Sequence, residues 1–389
     1  MNLLHVFIVL ISCATYISCD DMIYNYASCS HGGSITPKGR TTSRTFMLYA
    51  YKGYNLLTVL VNGHPQKVFN NTVFLPSNEK ELTVTAFFSP QSKPNDYGQN
   101  VGILYETWFN AINAGGFRPV YPEEVPPATY RYWGEPAVGR YNSDDERVIN
   151  IHADLLAASA MDYIIVDYSN NNILDPSLHN PVYNLLNIYQ NRAQQGIPTP
   201  QIVFLLSASD NQVALLRDLY NRYNHKIFYH LNNKPLLFPT KPCTIDGCDF
   251  FENREMWGLL PQGDNRYSFM QLYPQNIVNG NEQIAVSAAQ QETYMSLPSA
   301  HSRKYDFRTG GNTGGDFQNF DDQWQRAIDN KVRTVTIKAW NEWVAINFEQ
   351  GYTDQFNADQ SNDIEPVRGH FGDAYYNRMK QWIGRFKSL

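Results

Sequence analysis

The chain has 389 residues, of which 43% are hydrophobic, 14% aromatic and only 17% charged, with a formal net charge of −6. That length accommodates one large domain with a small appendage and a sizeable core. The acidic balance and the lack of any Lys/Arg run exclude nucleic acid and anionic membrane surfaces as partners.

The first apolar run, residues 3–11, is too short for the ~20 residues that a bilayer span needs. It reads as the core of a signal peptide over residues 1–19, with cleavage near Cys19. No later run is apolar enough to cross a membrane. The expectation is a secreted, extracellular protein with no membrane span. A surface low in charge and rich in Tyr, Asn and Gln then suits neutral polar ligands such as sugars.

Residues 20–95 read as a small β-rich module. Runs 55–61 and 81–88 are β-branched and aromatic, and Asn62-Gly63 is a hairpin turn signal. Asn70-Asn71-Thr72 is an N-glycosylation acceptor pattern on Asn70, consistent with export. The boundary, 89–100, is rich in Pro, Asn, Asp and Gly.

From 96 to 389 the pattern changes. Short apolar runs at 101–105, 163–167, 201–206, 234–238, 268–272, 283–287 and 334–338 read as strands. Helical periodicity occupies 144–160, 181–196, 210–224, 320–331 and 372–387. Strands buried on both faces and alternating with amphipathic helices predict a parallel α/β sheet. The number of units favours a (β/α)8 TIM-type barrel over an open sheet. No glycine fingerprint for a dinucleotide or phosphate follows any strand, so no cofactor is expected. Cys243 and Cys248 bracket a turn-rich loop, which predicts a disulfide in an oxidising compartment. A metal site would need further Cys or His at matching spacing, and none is near. Cys29 is left over.

Three strand ends carry acids, where a barrel keeps its functional groups. They are Tyr105-Glu106-Thr107-Trp108, Asp167-Tyr168-Ser169 and Trp340-Asn341-Glu342-Trp343. Rings stack on the C–H faces of a pyranose, amides bond its hydroxyls, and a carboxylate handles a proton or an oxocarbenium-like charge. Each residue also has a plainer reading. An acid at a strand end often caps a turn, and both tryptophans could be core. Strand alternation, if it persists to 343, sets Asn341 and Trp343 on one face and Trp340 and Glu342 on the other. An ionised Glu on a barrel-lining face is costly unless paired or functional.

Trp340-Asn341-Glu342-Trp343, then Asp363-Ile364-Glu365-Pro366, Gly372-Asp373 and Tyr375-Tyr376, resembles the closing segment of the glycoside hydrolase family 99 and family 71 superfamily. Stretches around Val101–Trp108, Gly139–Tyr141, 162–172, 226–238 and Met256–Leu259 agree in order. The resemblance spans about 98–387 and implies a barrel of endo-acting α-glycosidase type, for α-mannosides or α-glucans. One departure matters. In the family 99 enzymes a second Glu follows three residues after the first, and here that position is Ala345. A second acid must come from elsewhere, because glycoside hydrolysis ordinarily uses two carboxyl groups. Asp167 is expected to supply it, with Glu349, Asp354 and Glu106 next in line.

The expectation is therefore a secreted glycoside hydrolase acting on an oligo- or polysaccharide. Glu342 and Asp167 would be catalytic, and Trp340, Asn341, Trp343, Tyr168, Glu106, Trp108 and Asp354 would bind substrate. The rival is an extracellular binding or structural protein that kept the barrel and lost turnover, for which Ala345 argues. A sugar-nucleotide glycosyltransferase fits less well, since sugar nucleotides are scarce outside cells.

Overall fold

The computed structural model describes residues 25–29, 33–51, 54–76, 81–90, 98–109, 130–169, 176–293, 295–348, 351–353 and 356–389. The signal peptide over 1–19, Asn170 to Asn172, Glu349 and Asp354 lie outside the described residues.

The described residues between 25 and 90 form two small sheets around a core of their own, including Phe46, Leu48, Val59, Val73, Val84 and Phe88. Tyr54–Val61 turns back on His64–Pro65 through Asn62-Gly63, both with positive φ. That backbone suits Asn and Gly and matches the twist of paired strands. Leu60 and Phe87 pack against Ala158 and Ile197, which ties these sheets to the rest of the chain.

Among the described residues, the larger unit is built on seven parallel strands. They are β1 (Asn100–Tyr105), β2 (Tyr163–Tyr168), β3 (Gln201–Leu206), β4 (Lys234–Pro239), β5 (Glu252–Asn253), β6 (Gln283–Ser287) and β7 (Thr334–Lys338). Their spatial order is β5-β4-β3-β2-β1-β7-β6. The chain steps outward from β1 to β5, then returns so that β7 lies beside β1. Among the described residues, five α-helices accompany them: α1 (Glu146–Ala158), α2 (Pro176–Gln194), α3 (Asp210–Arg222), α4 (Gln318–Asp329) and α5 (Ala374–Phe386). All five overlap the predicted helical stretches. Helix α1 starts where the Asp145 side chain accepts the N–H groups of Arg147 and Val148, and α3 where Ser209 and Gln212 form a capping box.

The complete (β/α)8 barrel expected from the sequence is not what the structure shows. The sheet curls, but among the described residues no ladder joins β5 to β6 and no α-helix lies between β4 and β6. The predicted strand at 268–272 is absent. An isolated Met256–Tyr267 bridge lies just before it, and within it the Leu259 N–H donates to the Met270 carbonyl at 3.0 Å. The reason is local. Ser268 Oγ bonds the backbone N–H and C=O of Met270, Gln283 Nε2 donates to Ser268 O at 2.7 Å, and Gln290 Nε2 donates to the Gln271 carbonyl. Side chains satisfy the backbone groups that a ladder would otherwise use.

Both faces of the strands are buried. Ile164, Val166 and Tyr168 of β2 face the helices, while Tyr163 and Ile165 face the interior of the curl. On β1, Val101, Ile103 and Tyr105 face the helices and Leu104 the interior. A Cβ on Gly102 would fall within the Tyr163 ring, so this strand position needs glycine. Gly102→Ala should lower the unfolding free energy by about 1–3 kcal/mol, the usual range for overpacking. Urea denaturation checks it; an unchanged midpoint would show that the ring moves aside freely.

The Cys243–Cys248 disulfide is present, with the Cα atoms 5.8 Å apart. Cys29 is a buried free thiol. Replacing both disulfide cysteines by Ser should cost about 2 kcal/mol from the entropy of so short a loop. Urea melts of the variant beside wild type would show the difference, and identical melts would mean the loop is held by its neighbours alone. No helix among the described residues is long and apolar enough to cross a membrane.

Candidate active site

A cleft of about 320 Å³ opens where the parallel strands end. This is the place at which strand alternation and the first loop residues can bring distant side chains together. Leu104, Glu106 and Trp108 come from the end of β1, and Asp167 and Ser169 from the end of β2. Trp257, Gly258, Leu259, Phe269 and Met270 form the wall where the sheet has no ladder. Gln291, Lys338 and Glu342 complete it.

Alternation explains the acids. Leu104 faces inward on β1, and Glu106 two residues on enters the cleft. Tyr163 and Ile165 face inward on β2, and Asp167 continues their face. Asp167 Oδ1 also accepts the N–H of Ser169 at 2.8 Å, so the residue caps its turn and lines the cleft at once. Glu106 and Glu342 are buried, while Asp167 is half-buried.

Glu342 is the most constrained of the three. Lys338 Nζ stands 3.4 Å from its Oε2, and both side chains are buried. The same ammonium lies 5.3 Å from the centre of the Phe269 ring. The backbone N–H of Glu342 donates to Asp363 Oδ1. Asp363 Oδ2 accepts from Trp133 Nε1 at 2.6 Å, and the Asp363 carbonyl accepts from Arg303 Nη2 at 2.6 Å. Burial pushes the Asp363 carboxyl up to about 7, against the opposing pull of the Trp133 bond and the Arg303 charge.

Asn341 works differently from a sugar ligand. Its Oδ1 accepts the N–H of Glu106 at 2.9 Å, and its Nδ2 donates to the Glu106 carbonyl at 3.0 Å and to Tyr141 Oη at 3.2 Å. It fastens the end of β7 to the end of β1. Tyr141 Oη in turn donates to Glu365 Oε2 at 2.8 Å. Glu365 also accepts from Trp343 Nε1 at 2.6 Å, and its Oε1 meets His152 Nε2 at 2.9 Å. His152 Nδ1 meets Tyr105 Oη at 2.9 Å. The Asp-Ile-Glu-Pro stretch thus braces two of the three acid-bearing loops from behind. Its two carboxylates, Asp363 and Glu365, are buried and do not line the cleft.

Of the residues predicted to form the site, the structure brings Glu106, Trp108, Asp167 and Glu342 together. Trp340, Asn341, Trp343 and Tyr168 do not line the cleft. Trp340 is buried between His152 and Tyr376. Trp343 stacks on Trp133 with centroids 4.9 Å apart. Tyr168 packs against Phe204 on the helix side of the sheet. The expected alternation from 340 to 343 is not followed because the strand ends at Lys338. Beyond it the chain turns, and Trp340 and Glu342 go to opposite sides. Ala345 falls in Val344–Phe348, which pairs antiparallel with Tyr130–Tyr132 and carries no carboxylate at that place. Asn70 is exposed in the turn before Thr72. Among the described residues, no group of three or more His, Cys, Asp or Glu could hold a metal.

Lys338, Trp257, Phe269 and Gln291 line the cleft without having been singled out for it. Lys338 was within reach of sequence reasoning, since Thr334, Thr336 and Lys338 share one face of β7. The others come from a stretch with no regular period.

No protein-family model matches the chain, and no curated protein sequence matches it either. Among solved structures, it is similar to the GH99 endo-alpha-mannosidase from Bacteroides thetaiotaomicron, with a TM-score of 0.46 and 14% identity over 74% of this chain and 97% of that one. The complex of that enzyme with bis-tris-propane gives the same values. A glycoside hydrolase-like protein matches with a TM-score of 0.42 and 12% identity, over 76% of this chain and 96% of that one. Similarity this low fixes neither activity nor substrate.

Proposed function

We propose that the chain is a secreted glycoside hydrolase that cleaves α-linked mannosides or glucans in the cleft at the ends of β1, β2 and β7. The observation that carries the reading is the meeting of Glu106, Asp167 and Glu342 with Trp108, Trp257 and Phe269 in one cavity. Carboxyl groups for proton transfer beside rings for sugar faces are the parts that glycoside cleavage requires. The α-linkage and the two polymer classes rest on the resemblance of the closing segment.

In this reading Asp167 protonates the departing glycosidic oxygen. The C1–O bond breaks with its electron pair on that oxygen. Glu342 supports the positive charge at C1, either by bonding to it directly, after which water displaces the Glu342 carboxylate from C1 and gives its proton to the Asp167 carboxylate, or by taking a proton from the water that attacks C1. Glu106 holds hydroxyls of the same sugar, and Trp108 and Trp257 cover ring faces. Lys338 faces Glu342 and keeps opposite charge at its side. Ala345 favours a second reading, a binding protein that no longer cleaves.

The test is a panel of α-mannans, α-glucans and N-glycans, with products followed by NMR. Cleavage supports the reading. The first-formed anomer then separates direct bonding at C1, which retains configuration, from attack by water, which inverts it. Binding without cleavage of any member would overturn the hydrolase and leave the binder.

A further inference from the structure

Seven large hydrophobic side chains are exposed among the described residues, and five of them sit together. They are Met47, Tyr49, Tyr51, Phe69 and Phe74, at 48%, 46%, 55%, 75% and 62% exposure. All belong to, or flank, the three-stranded sheet of Gly33–Thr36, Thr45–Ala50 and Thr72–Phe74. Alternation gives this sheet two distinct faces. Phe46, Leu48 and Val73 point into the core of the small sheets. Met47, Tyr49 and Phe74 point out.

The register shows what lies between them. Phe74 is opposite Thr45, Met47 is opposite both Thr72 and Thr36, and Tyr49 is opposite Ser34. Paired residues share a face, so the outer surface interleaves rings and a thioether with hydroxyls. Tyr49 Oη reaches Met47 Sδ at 3.5 Å, which joins the two into one surface. The three strands contain no Asp, Glu, Lys or Arg. A patch of this kind marks an interaction site.

We propose that this outer face is a second carbohydrate-binding surface, separate from the cleft, and that its ligand is a neutral polysaccharide chain. Three observations favour that occupant. The exposed groups are mainly rings, which match the C–H faces of sugars, with hydroxyls between them to exchange hydrogen bonds. The strands carry no charge, whereas a membrane-binding surface is rich in Lys and Arg. Strands of four, six and three residues are fewer than the ~20–30 residues a side that a stable protein interface uses. The surface would hold the protein on a polymer, while the cleft acts on one of its chains.

The experiment compares full-length wild type, Tyr49→Ala/Phe74→Ala and Glu342→Gln. Each is measured for retention on α-mannan and α-glucan beads and for cleavage of soluble α-linked oligosaccharides. The face variant should lose retention by at least tenfold and cleave soluble oligosaccharides as wild type does. Glu342→Gln should be retained like wild type. Loss of retention in the face variant with no cleavage by any protein would sustain the surface and sink the hydrolase. Cleavage by wild type with no retention, or retention unchanged in the face variant, would overturn the surface and leave the cleft untouched. Wild-type self-association by light scattering, abolished in the face variant, would assign the patch to a second copy of this chain and overturn it as well. Far-ultraviolet circular dichroism and urea melts confirm that each variant is folded; Tyr49→Ser/Phe74→Ser replaces the face variant if it is not, and is read by the same outcomes.

Discussion

If the cleft cleaves glycans as proposed, Glu342→Gln should lower the rate by about 10²–10⁴-fold, the range for loss of a positioned acid or base. The amide keeps the size and shape of the carboxyl group. It loses the charge that faces Lys338 and the ability to support charge at C1. The loss should fall on kcat, with KM changed much less, because shape and ring contacts persist. Asp167→Asn should give a loss of similar order by removing the proton donor. The double variant should be little slower than the slower single one, since groups that act in one step are not additive. Initial rates on the best substrate of the panel check all three. Activity within tenfold of wild type in Glu342→Gln would remove that residue from the chemistry.

Asp363 should make stability depend on pH in a direction opposite to that of an ordinary salt-bridged acid. Burial raises its carboxyl to about 7 in the folded chain, from an ordinary value of 3.8. Between about pH 4 and pH 7 the native state therefore holds a proton that the unfolded state has released. The unfolded state binds fewer protons, so the unfolding free energy falls as pH rises. One proton contributes a slope of about 1.4 kcal/mol per pH unit, and the whole window a loss of a few kcal/mol. Above about pH 7 both states are ionised and this contribution is flat. Asp363→Asn removes the proton and with it the slope. Its carbonyl can still accept the Glu342 N–H, but a bond such as that from Trp133 is lost, which costs about 1–3 kcal/mol at acid pH. Urea unfolding of both proteins from pH 4.5 to 8 gives the comparison. Parallel curves across that range would show that Asp363 is ionised throughout.

The placement of Asp363 explains why the site was only partly legible. Glu106, Asp167 and Glu342 were visible because each is an acid just past an apolar run, and the ends of parallel strands converge. Trp340, Asn341 and Trp343 carried the same signal and do other work. Trp340 fills the helix side of the sheet, Asn341 fastens β7 to β1, and Trp343 stacks on Trp133. Nothing within the four-residue stretch separates these roles. The separation depends on where the strand stops, and the strand stops at Lys338, opposite Ser287, the last residue of β6. Asp363 and Glu365 looked like part of a motif, yet they act through partners as much as 230 residues away, such as Trp133.

By itself the sequence determined the alternation of helices and strands, the Cys243–Cys248 pair, the Asn62-Gly63 hairpin and three acid-bearing strand ends. Each is set by contacts within a few residues: period, turn chemistry and capping. Only the tertiary structure decided that the sheet curls without a ladder between β5 and β6. It alone decided that residues 268–272 are not a strand, and that Lys338, Trp257 and Phe269 wall the cleft. Those outcomes turn on competition between backbone and side-chain hydrogen bonds and on packing between distant segments, whose energies appear only when the chain has closed on itself.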